Sequence, residues 1–295
     1  MVASRSLEHR RSGRTGRRPL LAGLLTVAAV VLTGCSPEEN LRFGWPRGIT
    51  QQSEHMLDLW IGSVVAALVV GVGVWGLIFW CVVRYRKRGD ELPAQTRYNL
   101  PIEIIYTVVP FLIIAVLFYY TAIVEAVVTK ESKNPDVKVE VVAFKWNWQF
   151  NYPDERDGQN RPVSTLGTSD QIPILVIPKD KKVHFTEISN DVIHSFWVPE
   201  ILFKRDVFPG GIPNSFEITP TKEGAYVGRC AELCGTYHAN MNFEMRVVSD
   251  QQYAQYMAAR KGGLSTADAL RAIGQEPYAT TTHPFKTQRN TGTAS

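Results

Sequence analysis

The chain has 295 residues and a net charge of +4, long enough for one good core and additional segments. The charge is unevenly placed: residues 1–34 hold six arginines and one acid, and subtracting that +5 leaves −1 for the rest. A near-neutral remainder has no electrostatic footprint for nucleic acid, so no nucleic-acid partner is expected.

In residues 1–34 a basic stretch precedes the uncharged run "PLLAGLLTVAAVVLTGC". That is the layout of a secretory signal peptide, which is set apart from the fold. Its end, "LTGC", resembles the bacterial lipobox, in which the cysteine, here Cys35, becomes the lipidated first residue and attaches to membrane lipid. The alternative is an uncleaved anchor helix with an incidental cysteine. An external segment, 35–58, follows.

Leu59–Val83 is a run of 25 uncharged positions and Ile104–Val124 one of 21. A membrane-spanning helix needs about 20 apolar residues, so spans are expected at 59–83 and 104–127. The loop between them, 84–103, carries Arg84, Arg86, Lys87 and Arg88, which marks it as cytoplasmic. The spans form a hairpin, and everything after about Glu125 lies outside. Glu103 opens the second span. A carboxylate at a membrane boundary is a functional candidate; the plainer reading is a helix-start acid favoured by the dipole.

From 136 to 250 the pattern changes to period two. "VKVEVVAF", "ILVIP", "KKVHFTEIS", "NSFEITP", "AYVGRC" and "NFEMRVV" are short runs separated by Gly, Pro, Asn and Asp. This predicts an all-β sandwich or barrel. "QQYAQYMAARKGG" reads as a short helix. The tail, 251–295, is poor in apolar residues beyond about Gly263, which predicts partial disorder and no packed core there.

The stretch "GRCAELCGTYHANMNF" places Cys230, Cys234, His238 and Met241 four, four and three residues apart. Disulfide, zinc site, reactive thiol pair and copper site all remain open at this point. A disulfide is the default outside the cell. Zinc favours closer cysteine pairs, and soft sulfur with imidazole suits copper. His194, in "SNDVIHSFWVPE", would ordinarily be a surface residue. Cys81 reads as a packing residue of the first span, and Met245, alternating with Phe243 and Val247, as core.

"DVIHSFWVP" and "CAELCGTYHANM", behind a helix hairpin, resemble subunit II of the haem–copper cytochrome c oxidases. The resemblance covers nearly all of residues 35–250. It implies a two-helix transmembrane hairpin followed by a Greek-key, cupredoxin-like sandwich in a bacterial cell membrane. It also implies a binuclear copper A centre bridged by Cys230 and Cys234. His194 and Met241 would complete one copper, and His238 with the Glu232 carbonyl the other; the Glu232 carboxylate would help bind magnesium at the border with subunit I. "FKWNWQF" resembles the family's aromatic patch, which makes Trp146 the point where electrons arrive from cytochrome c, although Lys145 and Asn147 depart from its usual neighbours. Glu103 matches the glutamate at the mouth of a proton path through subunit I. "KRDVFPGG" resembles a family loop, with Gly211 where arginine is usual.

The implied partners are oxidase subunits I and III and either cytochrome c or a c-type cytochrome domain of the bc complex. The implied activity is transfer of electrons towards oxygen reduction, coupled to proton pumping. The rival readings are a quinol oxidase subunit II, against which the intact Cys–His set argues, and a membrane-tethered copper carrier or assembly factor. Asp154, Glu155 and Asp157 read as a solvated loop, with attraction of a basic cytochrome the alternative.

Overall fold

A computed structural model describes residues 37–92 and 94–284. The expected signal peptide and Cys35 lie outside the described residues. Residues up to Trp45 and those from Pro46 onward form two separate units. The first contains α1 (Pro37–Leu41); the second contains every other element.

Two long helices, α2 (Gln51–Arg84) and α3 (Leu100–Val128), contain the two apolar runs and are long and apolar enough to cross a membrane. Both extend beyond the expected spans. Within 35–58 the first long helix already begins at Gln51, and the loop shortens to 85–99. Local capping explains this. Thr50 Oγ1 accepts the Ser53 N–H and Ser53 Oγ accepts the Thr50 N–H, each at 3.0 Å, a reciprocal cap that starts the helix in polar sequence. Apolar runs delimit the hydrocarbon crossing and not the helix. At 34 residues, α2 is about 51 Å long, against roughly 30 Å of hydrocarbon.

Ten strands build the domain: β1 (Val137–Phe144), β2 (Asn147–Arg156), β3 (Pro162–Leu166), β4 (Ile174–Pro178), β5 (Val183–Ser189), β6 (His194–Val198), β7 (Phe203–Val207), β8 (Asn214–Ile218), β9 (Gly224–Cys230) and β10 (Asn242–Val248). They form two five-stranded sheets, ordered β3-β2-β1-β5-β8 and β4-β10-β9-β6-β7. The chain crosses repeatedly between sheets, and each sheet contains one parallel pair, β1 with β5 and β4 with β10. Period-two alternation turns Trp148, Phe150, Phe185, Phe196, Phe216 and Phe243 into the space between them, all buried. Ring centroids lie 4.7 Å apart for Phe185–Phe216 and for Phe196–Phe243, in the range of favourable aromatic pairs.

The hairpin is fastened to the domain at both outer ends. Gln51 N–H donates to Thr219 O and Thr221 N–H to Ile49 O. After α3, Ser132 Oγ donates to Glu217 Oε2, and Ser215 Oγ to Glu131 Oε1.

One inward position breaks the apolar pattern. Glu187 on β5 is fully buried, and neither carboxylate oxygen has a hydrogen-bond partner among the described residues; the same holds for Arg205 Nε. Burial pushes the Glu187 carboxyl well above its usual range; the Arg205 charge opposes this and Asp206 adds to it. The folded state therefore binds this proton more tightly than the unfolded chain. The resulting stability is complete below the unfolded value, about 4.3, and is lost as pH rises towards the raised folded value. Glu187→Gln is expected to remove that loss. In urea unfolding its advantage over the parent should widen with pH above about 5, by up to roughly 1 kcal/mol per unit; parallel pH curves would contradict this.

Packed structure does not end near residue 250. Two helices follow: α4 (Asp250–Lys261) packs against β2, β3 and β4, α5 (Thr266–Ala272) packs on α4, and a strap up to residue 284 covers the outer face of β10. They bury Tyr253, Tyr256, Met257, Leu270 and Ile273. This corrects the expectation for 263–284; residues 285–295 lie outside the described residues. The low apolar content misleads because the strap is held by polar groups. Glu244 and Arg246, buried on that outer face, form an ion pair. Arg246 donates to the carbonyls of Glu276 and Tyr278, and Glu244 Oε2 accepts the Thr280 and Thr281 N–H groups at 2.6 and 2.9 Å. Breaking a buried pair from one side costs about 3–5 kcal/mol. Arg246→Met should lower unfolding stability by that order in denaturant titration, and a loss under 1 kcal/mol would contradict the pairing.

Candidate metal centre

The sheet with β6 and β9 side by side assembles the sulfur–imidazole cluster. Phe196 pairs with Cys230 in register, so His194, at the start of β6, stands beside the end of β9. The chain then loops through Cys234 to a short 3-10 turn, His238–Asn240, and returns into β10 after Met241. Residues from two distant stretches thus meet at one end of the sandwich.

Cys230 and Cys234 are buried free thiols with Sγ atoms 3.8 Å apart, far beyond the bond length of about 2.05 Å that a disulfide needs. His194 Nδ1 lies 3.8 Å from Cys230 Sγ, His238 Nδ1 3.6 Å from Cys234 Sγ, and Met241 Sδ 3.8 Å from Cys234 Sγ. The Glu232 carbonyl oxygen lies 3.3 Å from Cys230 Sγ. Two donors each ~2.2 Å from one metal at a tetrahedral angle stand ~3.6 Å apart. The spacing therefore fits ligands converging on metal, and the donor set, two thiols, two imidazoles and a thioether, is soft enough for copper. Met245 packs in the core instead, as its alternation implied.

The electrostatics favour one ready thiolate. Burial alone would raise the Cys230 thiol, but hydrogen bonds from His194 and from the Glu232 and Ser195 backbone outweigh it and bring it down to about 7. Burial and the adjacent Cys230 charge push Cys234 up to about 12. His194 is tied down from behind: its Nε2–H donates to Asp191 Oδ1 at 2.8 Å, leaving Nδ1 for the cluster. Burial alone would raise the Asp191 carboxyl; hydrogen bonds from His194, Lys145 and Val192 outweigh it and hold it below the usual carboxylate value. An acid behind a ligating imidazole fixes its tautomer and orientation. Asp191 was legible as the acid of "DVIH", three residues before the histidine, but only the fold shows its bond.

Trp146, half-buried, leans on the same loop. Its Nε1–H donates to Cys234 O at 3.2 Å, and its ring meets Tyr237 edge-on at 4.8 Å. Gly235 adopts φ +118°, and a Cβ there would sit 3.3 Å from the indole, so glycine serves both the turn and the close approach. Behind the loop, Trp148 Nε1–H and Cys230 N–H both donate to the Met241 carbonyl, which holds the loop against the core.

Glu103 stands elsewhere. It lies in the first turn of α3, about 38 Å along the helix from Val128, and its Oε1 accepts the Asn99 N–H at 2.9 Å. Cys81 is exposed on α2 and takes no part in the cluster. Asp154, Glu155 and Asp157 are ion-paired with Lys138, Lys261 and Arg161.

The family described as cytochrome c oxidase subunit II, periplasmic domain, matches residues 137–248, and the family's transmembrane domain matches residues 40–123. A cytochrome c oxidase subunit 2 of Nocardia farcinica is 44% identical over 97% of this chain and 92% of its own. One from Mycobacterium tuberculosis is 44% identical over 92% of this chain and 90% of its own. The crystal structure of the periplasmic domain of the Bradyrhizobium japonicum oxidase subunit II is 29% identical over 44% of this chain and 97% of that chain, with a TM-score of 0.39. The chain belongs to the cytochrome c oxidase subunit II family, a two-pass membrane subunit of an oxidoreductase complex whose cupredoxin-like domain, with its His–Cys–Cys cluster, lies on the extracytoplasmic side.

Proposed function

We propose that this chain is the copper A subunit that receives electrons from a c-type cytochrome and passes them to subunit I, for oxygen reduction coupled to proton pumping. His194, Cys230, the Glu232 carbonyl, Cys234, His238 and Met241 would hold two coppers. Convergence of three donor side chains, His194, His238 and Met241, around two free thiols carries this reading. When bound, the copper pair supplies a one-electron store shared between two metals. The chain's own contribution is rigidity and dryness: Cys230, Cys234, Met241 and His194 are buried. A held ligand set moves little when charge changes.

Trp146 presents an aromatic edge bonded to the copper loop and is the proposed point of electron arrival. The Glu232 side chain is half-buried and would be available to magnesium shared with subunit I, since such cations take oxygen ligands and often only one or two carboxylates. Glu103 would mark the start of a proton path in subunit I. Subunit III is the further expected partner, and lipidation of Cys35 would add a membrane attachment.

Rapid mixing of the copper-loaded complex with reduced cytochrome c tests the reading. One electron per copper pair should transfer before any haem of subunit I is reduced. Haem reduction that precedes copper reduction would refute it.

A further inference from the structure

The strap reaches the place where electrons are proposed to arrive. From Arg246, which holds Glu276 and Tyr278, to Glu244, which holds Thr280 and Thr281, it runs back along β10 towards Met241. Pro284 of the strap lines a groove of about 370 Å³ together with Lys145, Trp146, Asn147, Asn240 and Asn242. Among the described residues lining this groove there is no carboxylate, and Lys145 is the charged one. Lys145 is exposed, with no ion-pair partner among the described residues. The adjacent Asp191 has both oxygens engaged by His194, Lys145 N–H and Val192 N–H. The acids at 154–157 are neutralised by cations.

We infer that this surface docks a c-type cytochrome whose haem edge is ringed by carboxylates and amides and not by lysines, and that the strap at Pro284 is one wall of the dock. The inference rests on Trp146 being the point of electron arrival. Amide and hydroxyl groups in the groove match a hydrogen-bonding partner face, and the sign of Lys145 matches an acidic one; such complementarity acts mainly on association rate and its salt dependence. On docking, the donor's ferrous haem becomes ferric and its one electron is taken up at the copper centre.

The test uses the intact copper-loaded oxidase, mixed with a reduced acidic c-type cytochrome, a reduced lysine-rich one, or a small uncharged reductant, across ionic strength. The acidic cytochrome should react faster, with a rate that falls as salt rises. Lys145→Glu should slow it about tenfold and speed the lysine-rich one, with the copper absorption unchanged. Truncation after Thr281 leaves the bonds to Glu244 and Arg246 in place and should slow the acidic donor severalfold. A faster lysine-rich donor with a steep salt decline, or rates indifferent to Lys145→Glu, would overturn the inference while leaving Trp146 in its role. An unaffected truncation would remove the strap from the dock. Reduction by the small reductant but by neither cytochrome would overturn both this inference and the reading of Trp146.

Discussion

Cys230→Ser is expected to abolish the binuclear centre, with loss of the mixed-valence absorption and of electron transfer to subunit I. The geometry sets the size of the effect. Cys230 Sγ faces His194, Cys234 and the Glu232 carbonyl at once, so its loss would affect both proposed metal positions. It is also the thiol held near neutral pH, at about 7, ready to ionise. A hydroxyl does not ionise in that range and is a poor soft donor. Met241→Leu removes one weak thioether and should keep the copper while shifting its potential. Copper analysis and the visible spectrum of both variants decide the matter; a normal mixed-valence spectrum in Cys230→Ser would make the ligand assignment wrong.

Trp146→Ala should slow electron arrival about thirtyfold, the order lost when an aromatic hot spot worth about 2 kcal/mol is truncated. Copper content should hold, because the Met241 carbonyl stays anchored by Trp148 and Cys230. Trp146→Phe keeps an aromatic edge but loses the indole bond to Cys234 O, so its rate should fall between the two. Stopped-flow rates measured beside copper content separate docking from damage. An unchanged rate in Trp146→Ala would return the residue to plain packing.

The parts of the molecule legible in sequence share one property: their signal is local. Spans of 25 and 21 uncharged residues, alternation in "NFEMRVV", and four ligand-type residues within Cys230–Met241 can each be read without knowing what lies across the fold. His194 was different; only the resemblance linked it to the cysteines 36 residues away, and the pairing of β6 with β9 supplies the physical link. Asp191 was visible, yet its hydrogen bond to His194 depends on a turn that the sequence does not specify. Glu244 and Arg246 misled more. Alternation put them on the outer face, where charge implies water, and nothing local announced that a strap 30 or more residues away would cover them. Glu187 is the reverse case, a charge on the inward face of a well-read strand. Helix starts at Gln51 and Leu100 were missed because hydropathy marks the membrane, whereas caps such as Thr50 with Ser53 mark the helix.

Six groups of this chain are proposed to hold two coppers as one electron store. The most direct measurement is copper content per chain together with electron paramagnetic resonance of the intact, copper-loaded protein. Two coppers and a hyperfine pattern of one unpaired electron shared by two copper nuclei are expected. One copper with the pattern of a single nucleus, or a Cys230–Cys234 disulfide without metal, would contradict it.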